Sequence, residues 1–385
     1  MTRPAKIFQP EEDEQPFTLP LTQAQPDPQA CFDLGVISSR QGQAAEAADF
    51  FRQALEADPE NAAAHFNLGV SLQKLGRLDE AAVSYQNALL INPLDTDTLF
   101  NLGLTLQEMG LLADAEKCFQ YVLEIDSDCH EAHGRMGMVY ALQGETGKAI
   151  AAYQQAVATG INGEANRHML AALTGQATAA APRQYVTALF DDYSSSFESS
   201  LLGIGYQVPA LLRKALDALP DSPPARFASV VDLGCGTGLS GLAFRDIAGQ
   251  LHGVDLSAGM LAKAHEKGIY DTLTQGEIVE FLNQSTEQFD LFILTDVFVY
   301  LGELTPLFYA MRQRAKNGTR LLFSTELCPD DVDYLLQPTG RYAHSQRHIK
   351  ALAEEHGFSV ARVQPVGIRK NKEQWDQGEI YILAG

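Results

Sequence analysis

The sequence predicts an all-α repeat array followed by an α/β domain with a mostly parallel sheet of seven strands. Two observations predict it. Similar segments recur with a period of 34 residues between positions 28 and 163, and strand-like and helical runs alternate between positions 185 and 385. Repeats of this length form stacked helix pairs. Alternating strands and helices form a parallel sheet that is covered on both faces.

Composition narrows the class of protein. The 385 residues are 45% hydrophobic, which predicts a folded chain. The sequence has no apolar run of roughly 20 residues and no apolar segment near its start, so it predicts neither a membrane-spanning helix nor a signal peptide. Five scattered cysteines predict free thiols in a reducing cytoplasm rather than a disulfide frame or a zinc site. A net charge of −21, spread over both large segments, argues against nucleic acid as the main partner.

Four repeat copies occupy residues 28–163, after a Pro- and Gln-rich start (residues 1–27) that we expect to be a disordered tail. Small residues let two helices touch, a second glycine turns the chain, and an aromatic side chain fills the gap. The columns are Gly35, Gly69, Gly103 and Gly137; Gly42, Gly76, Gly110 and Gly144; Ala47, Ala81, Ala115 and Ala149; and Phe51, Tyr85, Phe119 and Tyr153. The pattern resembles the tetratricopeptide repeat, and it is followed by a predicted capping helix and linker (residues 164–184).

The resemblance implies a concave groove lined by the first helix of each repeat. Asn67 and Asn101 precede the Leu-Gly pair of their repeats, where asparagines of some such arrays bind the backbone of an extended peptide. Asp33 and Arg135 stand at the equivalent positions of the other two repeats, so the asparagine ladder is short. A protein or peptide in this groove is one interpretation, and a solvated helix face is the other.

The second half alternates strand-like and helical runs. A sheet of this kind binds ligands at the carboxyl ends of its strands. The predicted strands are 229–233, 251–255, 272–275, 289–295, 320–325, 358–365 and 380–383, and the clearest helices are 258–267, 304–315 and 346–356.

A glycine-rich loop, "VVDLGCGTGLSG" (residues 230–241), follows the first of these strands. The dinucleotide fingerprint requires Gly or Ala where this chain has Leu239, and the Lys-Ser/Thr pair of a phosphate loop is missing. A carboxylate at Asp232 repels a pyrophosphate but pairs with an ammonium group. These features favour a positively charged nucleoside without phosphate, and S-adenosylmethionine has that chemistry.

The following strand ends agree with this cofactor. Asp255 ends the second strand, where an acid binds both ribose hydroxyls. Glu277 and Ile278 follow the third strand, where an acid accepts from the adenine amino group and an apolar side chain packs on the ring. Leu256 belongs to the same predicted set. Asp296 ends the fourth strand and is a candidate for both cofactor contact and catalysis.

Together these motifs make residues 185–385 resemble a class I S-adenosylmethionine-dependent methyltransferase with a Rossmann-like sheet. The whole chain resembles bacterial predicted methyltransferases that carry an N-terminal tetratricopeptide array. The resemblance implies that Asp232, Gly234, Gly236 and Gly238 hold the methionine part of the cofactor, Asp255 the ribose and Glu277 the adenine edge. Glu277 stands where Asp is usual, and Cys235 lies inside the loop as a further predicted contact.

A segment before the first strand, residues 188–212, resembles the "YD…Y" segment that often covers the cofactor like a lid. Tyr193 and Phe197 are then expected to cover the adenosine or the substrate. An ordinary amphipathic helix packed on the sheet is the alternative.

Methyl transfer demands alignment more than a fixed catalytic motif. The predicted catalytic residues are Asp296, Tyr342 and His344, with His344 as a base because its pKa lies near neutrality. Arg341 is expected to clamp a substrate carboxylate. The alternatives are that Asp296 orders a loop, that Tyr342 packs in the core, that His344 is structural and that Arg341 pairs with a surface acid. Tyr300 and Glu326 complete the predicted substrate site, and no histidine spacing indicates a metal.

The sequence therefore favours a methyltransferase whose repeats recruit its acceptor or a partner. That acceptor is either a protein threaded along the groove or a small molecule. The alternative function is an interaction scaffold that binds the cofactor without turnover.

Overall fold

The computed structural model describes residues 27–159, 163–194, 197–220, 226–371 and 374–385. They form two compact units, one up to Thr98 and one from Leu99 onward. The tail predicted for residues 1–27 lies outside the described residues apart from Asp27, whose carboxylate caps the first helix by accepting from the backbone N–H of Gln29. The domain boundaries expected from the sequence stay predictions.

The first unit consists of two helix pairs. A Cβ added at Gly69 would lie 2.6 Å from the ring of Tyr85, so only glycine lets the two helices of that repeat approach this closely. Tyr85 and the neighbouring Ala81 are fully buried as a result. The helices are α1 (Pro28–Arg40), α2 (Ala44–Ala57), α3 (Ala62–Lys74) and α4 (Leu78–Ile91).

The second unit begins with further helices of the same kind. A Cβ at Gly103 would lie 2.8 Å from the ring of Phe119, which repeats the glycine–aromatic contact of the first unit. The helices are α5 (Thr96–Glu108), which crosses the boundary between the units, α6 (Leu112–Ile125), α7 (His130–Leu142), α8 (Thr146–Thr159) and the predicted capping helix α9 (Gly163–Thr174). The period of the sequence thus predicts the helices correctly.

The rest of the second unit is built on one sheet, which has nine strands among the described residues. Its central order is β3-β2-β1-β4-β5, all parallel, and β9 and β8 continue it antiparallel beyond β5. The strands are β1 (Phe227–Leu233), β2 (Ala248–Asp255), β3 (Thr272–Gln275), β4 (Phe289–Leu294), β5 (Ala315–Leu327), β6 (Tyr334–Leu336), β7 (Tyr342–His344), β8 (Ser359–Asn371) and β9 (Gln374–Ala384). All seven predicted strands are present.

Helices cover this sheet on both faces. Alternate residues of β4 point to opposite faces. Phe292 packs in one core with Phe323 and Tyr381, while Ile293 packs in the other with Leu322. The helices are α10 (Arg183–Tyr193), α11 (Phe197–Gly203), α12 (Val208–Asp217), α13 (Leu239–Phe244), α14 (Ala258–Glu266), α15 (Ile278–Gln284), α16 (Thr305–Arg314) and α17 (Gln346–Glu355).

The short strands β6 and β7 are the main departure from the prediction. They pair antiparallel with each other, and β7 adds to the end of β5 through the register Glu326–Ala343. We call β6, β7 and the turn between them (residues 334–344) the insertion. A strand of three residues is too short to show an alternation of apolar and polar side chains, so the sequence does not reveal β6 and β7.

Candidate functional site

A cavity of about 710 Å³ opens at the carboxyl ends of the parallel strands. Gly234 and Thr295 line it directly after β1 and β4, and Asp255 lines it as the last residue of β2, as a sheet of this topology leads one to expect. We call the part lined by the glycine-rich loop and Asp255 the cofactor end. The part lined by Tyr300, Arg341 and Arg369 is the acceptor end.

The glycine-rich loop has the backbone that its sequence predicts. Gly234, Gly236 and Gly238 have φ values of 74°, 52° and 94°, a conformation that costs any residue with a Cβ about 1–2 kcal/mol. A Cβ at Gly234 would also lie 2.5 Å from Cγ2 of Val297. Gly238 is the N-cap of α13, so the loop delivers the chain directly to a helix start. The loop therefore forms a cradle that only glycine permits.

Asp255 fixes this loop from the neighbouring strand. Its carboxylate accepts from the backbone N–H groups of Gly236 at 2.8 Å and of Ser257 at 2.9 Å. The side chain lines the cavity, and burial raises the pKa of its carboxyl group. Asp255 thus connects the ends of β1 and β2. Its carboxylate oxygens keep further lone pairs that can accept hydrogen bonds from a ligand in the cavity.

Asp232 lies beneath the glycine-rich loop and does not line the cavity. It is fully buried, its Oδ2 accepts from the hydroxyl of Tyr270 at 2.7 Å, and burial raises its pKa to about 7. The cavity wall in front of it is made by Gly234 and Cys235. Oδ1 of Asp232 has no hydrogen-bond partner among the described residues. The ammonium contact predicted for Asp232 therefore stays a prediction.

Three other predicted cofactor residues line the cavity together: Leu256, Glu277 and Ile278. The carboxylate of Glu277 caps α15 by accepting from the N–H groups of Val279 at 3.1 Å and Glu280 at 2.9 Å. Arg183, which sequence reasoning missed, lies 3.5 Å from the same carboxylate. Glu277 is thus held in place at the cavity wall, with part of its hydrogen-bonding capacity already used.

Helices α10 and α11 supply one wall of the cavity, as expected of a lid. Asp191 ties α10 to the start of α14, since its carboxylate accepts from the hydroxyl of Ser257 and from the N–H of Gly259 at 3.1 Å. Phe197 lines the cavity and meets the ring of Phe190 edge-on at 6.0 Å. The side chain of Tyr193 lies outside the described residues, so its predicted cofactor contact stays a prediction.

Asp296 lies two residues after the end of β4. Its φ of 56° is unusual for a residue other than glycine and is consistent with a strained functional position. Ser324 orients it, because the Ser324 hydroxyl accepts from the Asp296 N–H at 3.0 Å and donates to its carboxylate at 3.2 Å. Asp296 lines the cavity, as predicted.

A charged cluster forms the acceptor end. Arg341 and Arg369 both donate to Oε1 of Glu326, and Arg341 also donates to the hydroxyl of Tyr300 at 3.2 Å. The two arginines and Tyr300 line the cavity, whereas Glu326 is nearly buried behind them. The sequence analysis predicted Tyr300, Glu326 and Arg341. It missed Arg369 because that residue comes from the distant hairpin β8–β9.

The structure places Tyr342 and His344 away from the cavity. Both are fully buried, the hydroxyl of Tyr342 pairs with that of Thr178, and Nε2 of His344 donates to the carbonyl oxygen of Gly302 at 3.2 Å. Burial lowers the pKa of His344 to about 4. A buried neutral imidazole bonded to a carbonyl is not positioned to remove a proton from an acceptor, so the geometry argues against the catalytic roles predicted for both residues.

Asn67 lies in the first unit and Asn101 in the second. The side-chain amide of Asn67 donates to the carbonyl oxygen of Ala63 within α3 at 2.8 Å. Asn101 is partly exposed on α5. Among the described residues, no cluster of His, Cys, Asp and Glu has the geometry of a metal site, and no helix is long and apolar enough to cross a bilayer.

Two family models match the chain. The tetratricopeptide repeat model matches residues 24–95 and 100–164, and a methyltransferase domain model matches residues 230–318. The first match covers the helix pairs α1–α8, and the second begins with the glycine-rich loop and includes Asp255, Glu277 and Asp296. The chain therefore carries tetratricopeptide repeats followed by a methyltransferase domain.

Two curated proteins show local similarity. A malonyl-(acyl-carrier protein) O-methyltransferase of Enterobacter lignolyticus (strain SCF1) is 34% identical over 33% of this chain and 50% of its own length. Human methyltransferase-like protein 27 is 36% identical over 22% of this chain and 35% of its own length. The chain thus spans half or less of the length of these relatives.

Solved structures resemble each part. The tetratricopeptide protein YrrB, described as having an unusual peptide-binding site, is 30% identical over 34% of this chain and 68% of its own, with a TM-score of 0.33. The magnesium protoporphyrin IX methyltransferase ChlM of Synechocystis PCC 6803, solved with bound S-adenosylhomocysteine, is 16% identical over 52% of this chain and 98% of its own, with a TM-score of 0.41.

Proposed function

We propose that this chain, a tetratricopeptide-repeat protein with a class I methyltransferase domain, transfers the methyl group of S-adenosylmethionine to an acceptor that enters the 710 Å³ cavity. The observation that carries the proposal is the cradle at the cofactor end. There, Gly234, Gly236 and Gly238 adopt left-handed backbone conformations, and Asp255 accepts from the loop while facing the same cavity.

The residues at the cofactor end fit the chemistry of this cofactor. Asp255 supplies acceptor atoms for ribose hydroxyls, and Ile278 with Leu256 supplies apolar surface for adenine. Glu277 stands at the adenine edge, and the buried carboxyl group of Asp232 favours a positive charge in front of the loop. When bound, S-adenosylmethionine provides a methyl carbon that is activated by the adjoining sulfonium.

The chain itself then has to bind, orient and desolvate the acceptor. Phe190, Phe197 and Tyr300 form an aromatic wall that excludes water from the acceptor end. Asp296 is the group we propose to receive a proton from an acceptor that carries one, because it lines the cavity and Ser324 orients its carboxylate. His344, which the sequence suggested for this role, is not part of the proposal.

For the repeats we propose binding of a protein or peptide, which delivers the acceptor or anchors the enzyme to a partner. The support is the repeat family itself and the partly exposed position of Asn67 and Asn101 on the first helices of their repeats. An asparagine amide has one donor and one acceptor, as an extended peptide backbone does.

The proposed activity can be tested with S-adenosylmethionine carrying a tritiated methyl group. The full-length protein is incubated with a lysate of its source organism, and label is counted in precipitated protein and in the small-molecule fraction. We expect time-dependent transfer into one of them, and loss of most of it in Asp255→Ala. Cofactor binding without transfer to any fraction would refute the activity and leave a scaffold protein.

The same assay tests the role of the repeats. If they recruit a protein acceptor, the double variant Asn67→Ala/Asn101→Ala loses label in the protein fraction. Gln86→Ala, an exposed substitution on α4, keeps it and serves as the control. Label that stays in small molecules and does not change in the double variant would contradict recruitment of the acceptor by these two asparagines.

A further inference from the structure

At the acceptor end, two guanidinium groups share one buried carboxylate. One carboxylate, Glu326, serves two guanidinium groups: its Oε1 accepts from Arg341 at 2.9 Å and also from Arg369. Its Oε2 is occupied by the amide of Gln337 at 2.8 Å. Arg369 reaches a second carboxylate, Asp376, but that side chain is 39% exposed, so water weakens the pair.

One donor of this cluster is unused. Nε of Arg341 bonds Glu326 and Nη1 bonds Tyr300, whereas the buried Nη2 has no hydrogen-bond partner among the described residues. A buried charged donor without an acceptor is unfavourable, and most such groups in native proteins have a partner. Since Arg341 lines the cavity, the missing acceptor is expected to come from a molecule inside it.

The other residues that line the cavity indicate the chemical character of the rest of that molecule. Phe190 meets the ring of Tyr300 edge-on at 5.5 Å. Further apolar side chains of α10, α11 and the residue after α11 line the same cavity: Val186, Leu189, Leu201 and Ile204. Asp296 lines the same cavity. Burial raises the pKa of Tyr300, and the nearby carboxylate of Asp296 adds to that rise. A second negative charge on the ligand would be repelled by Asp296 and Glu326, so the cluster suits a monoanion better than a phosphate dianion.

The backbone that carries Arg341 is held from two sides. Nε2 of His168, on the capping helix α9, donates to the carbonyl oxygen of Gly340 at 2.9 Å. The carbonyl oxygen of Arg341 accepts from the N–H of Gln337 at 2.9 Å across the insertion. The guanidinium is thus fixed before a ligand arrives, which reduces the entropy lost on binding.

We infer that the acceptor is an amphipathic carboxylic acid, whose carboxylate accepts from Nη2 of Arg341 and from the hydroxyl of Tyr300 and whose apolar body lies against α10 and α11. The inference rests on the proposed function and names the acceptor class for that same cavity. Arg341 is a binding residue in it, and His168 is a positioning residue that acts through Gly340.

Calorimetric titration of the full-length protein, saturated with S-adenosylhomocysteine, tests the inference with three probes of equal length: octanoate, octanol and octylammonium. We expect octanoate to bind roughly tenfold more tightly than octanol, as one charge-assisted hydrogen bond to a guanidinium predicts. Octylammonium should bind more weakly than either. Equal affinities for octanoate and octanol, or tighter binding of octylammonium, would overturn the inference.

Two variants test whether Arg341 causes the preference for octanoate over octanol. Arg341→Gln should abolish the preference for octanoate over octanol, whereas Arg347→Gln should keep it, because Arg347 is exposed and pairs with Asp333 on the surface. Unchanged preference in Arg341→Gln contradicts the assignment. The wild-type probe series decides the ligand class even if the variant folds poorly. Failure of S-adenosylhomocysteine to bind would refute the proposed function, whereas its binding without a preference for the acid would refute only the acceptor class.

Discussion

The two ends of the cavity differ in how the chain builds them. At the cofactor end, the hydrogen bond from the N–H of Gly236 to Asp255 joins residues 19 positions apart. At the acceptor end, Arg341 meets Tyr300 across 41 positions, Arg369 meets Glu326 across 43, and His168 meets Gly340 across 172. The cofactor end is therefore contained in one short motif, whereas the acceptor end exists only after distant segments have packed together.

The largest effect on cofactor affinity is expected from Gly234→Ala, which changes the glycine-rich loop itself. The left-handed backbone costs about 1–2 kcal/mol for alanine, and the contact with Val297 adds about 1–3 kcal/mol. We expect affinity for S-adenosylhomocysteine to fall by a corresponding factor of at least about 30 in calorimetry.

Gly318→Ala is the matched control, because Gly318 has a φ of 78° and nothing within 4 Å of an added Cβ. It should lower the Tm slightly and leave the affinity unchanged. If both variants bind the cofactor as the wild type does, the cradle is not the cofactor site.

Asp232→Asn probes the carboxyl group behind the loop through pH. Its folded pKa of about 7 exceeds the ordinary value of 3.8, so its contribution to stability is present below pH 4 and is lost as the pH rises to 7. Between pH 5 and pH 8 the wild type should lose about 3 kcal/mol relative to the variant. Unfolding of both proteins at the two pH values measures this. A stability difference that does not vary with pH would contradict the burial of Asp232.

Asp255→Ala tests the connection between the loop and the neighbouring strand. It removes two hydrogen bonds to the backbone as well as the acceptors proposed for the ribose. The affinity for S-adenosylhomocysteine should fall by about 1–3 kcal/mol. Unchanged affinity in calorimetry would refute the ribose assignment, and the octanoate preference should survive because the acceptor end is intact.

The smallest effect on binding is expected from His344→Gln. His344 lies in the core, so its replacement should change the affinity for S-adenosylhomocysteine by less than about 0.5 kcal/mol and lower the Tm. The pKa of about 4 means that the wild-type histidine stabilises the fold above pH 6.5 and ceases to do so as the pH falls through 4. Loss of methyl transfer at unchanged stability would restore its predicted role as a base.

The difference between the two ends also explains what the sequence could predict. The repeat helices, the seven long strands and the glycine-rich loop follow from periodicity and from glycine spacing, and the structure contains all of them. Tyr342 and His344 look like site residues because polar side chains before a helix usually face solvent or ligand. Their strand, β7, is buried on both sides, and the neighbouring sequence gives no sign of this burial.

Arg369 is the opposite case, because it lies in the site although the sequence did not predict it there. It lies on β8, a strand of 13 residues whose sequence gives no sign of the cavity, and it reaches Glu326 only because β9 brings the hairpin beside β5. Only the tertiary arrangement shows that a basic residue on this hairpin belongs to the site.

The identity of the ligand at the glycine-rich loop is decided by two titrations of the full-length protein, one with S-adenosylhomocysteine and one with NAD⁺. We expect one saturable site per chain for S-adenosylhomocysteine and no measurable binding of NAD⁺, because Asp232 and Asp255 disfavour a pyrophosphate at the loop. Tight binding of NAD⁺, or no binding of S-adenosylhomocysteine by folded protein, would contradict this expectation.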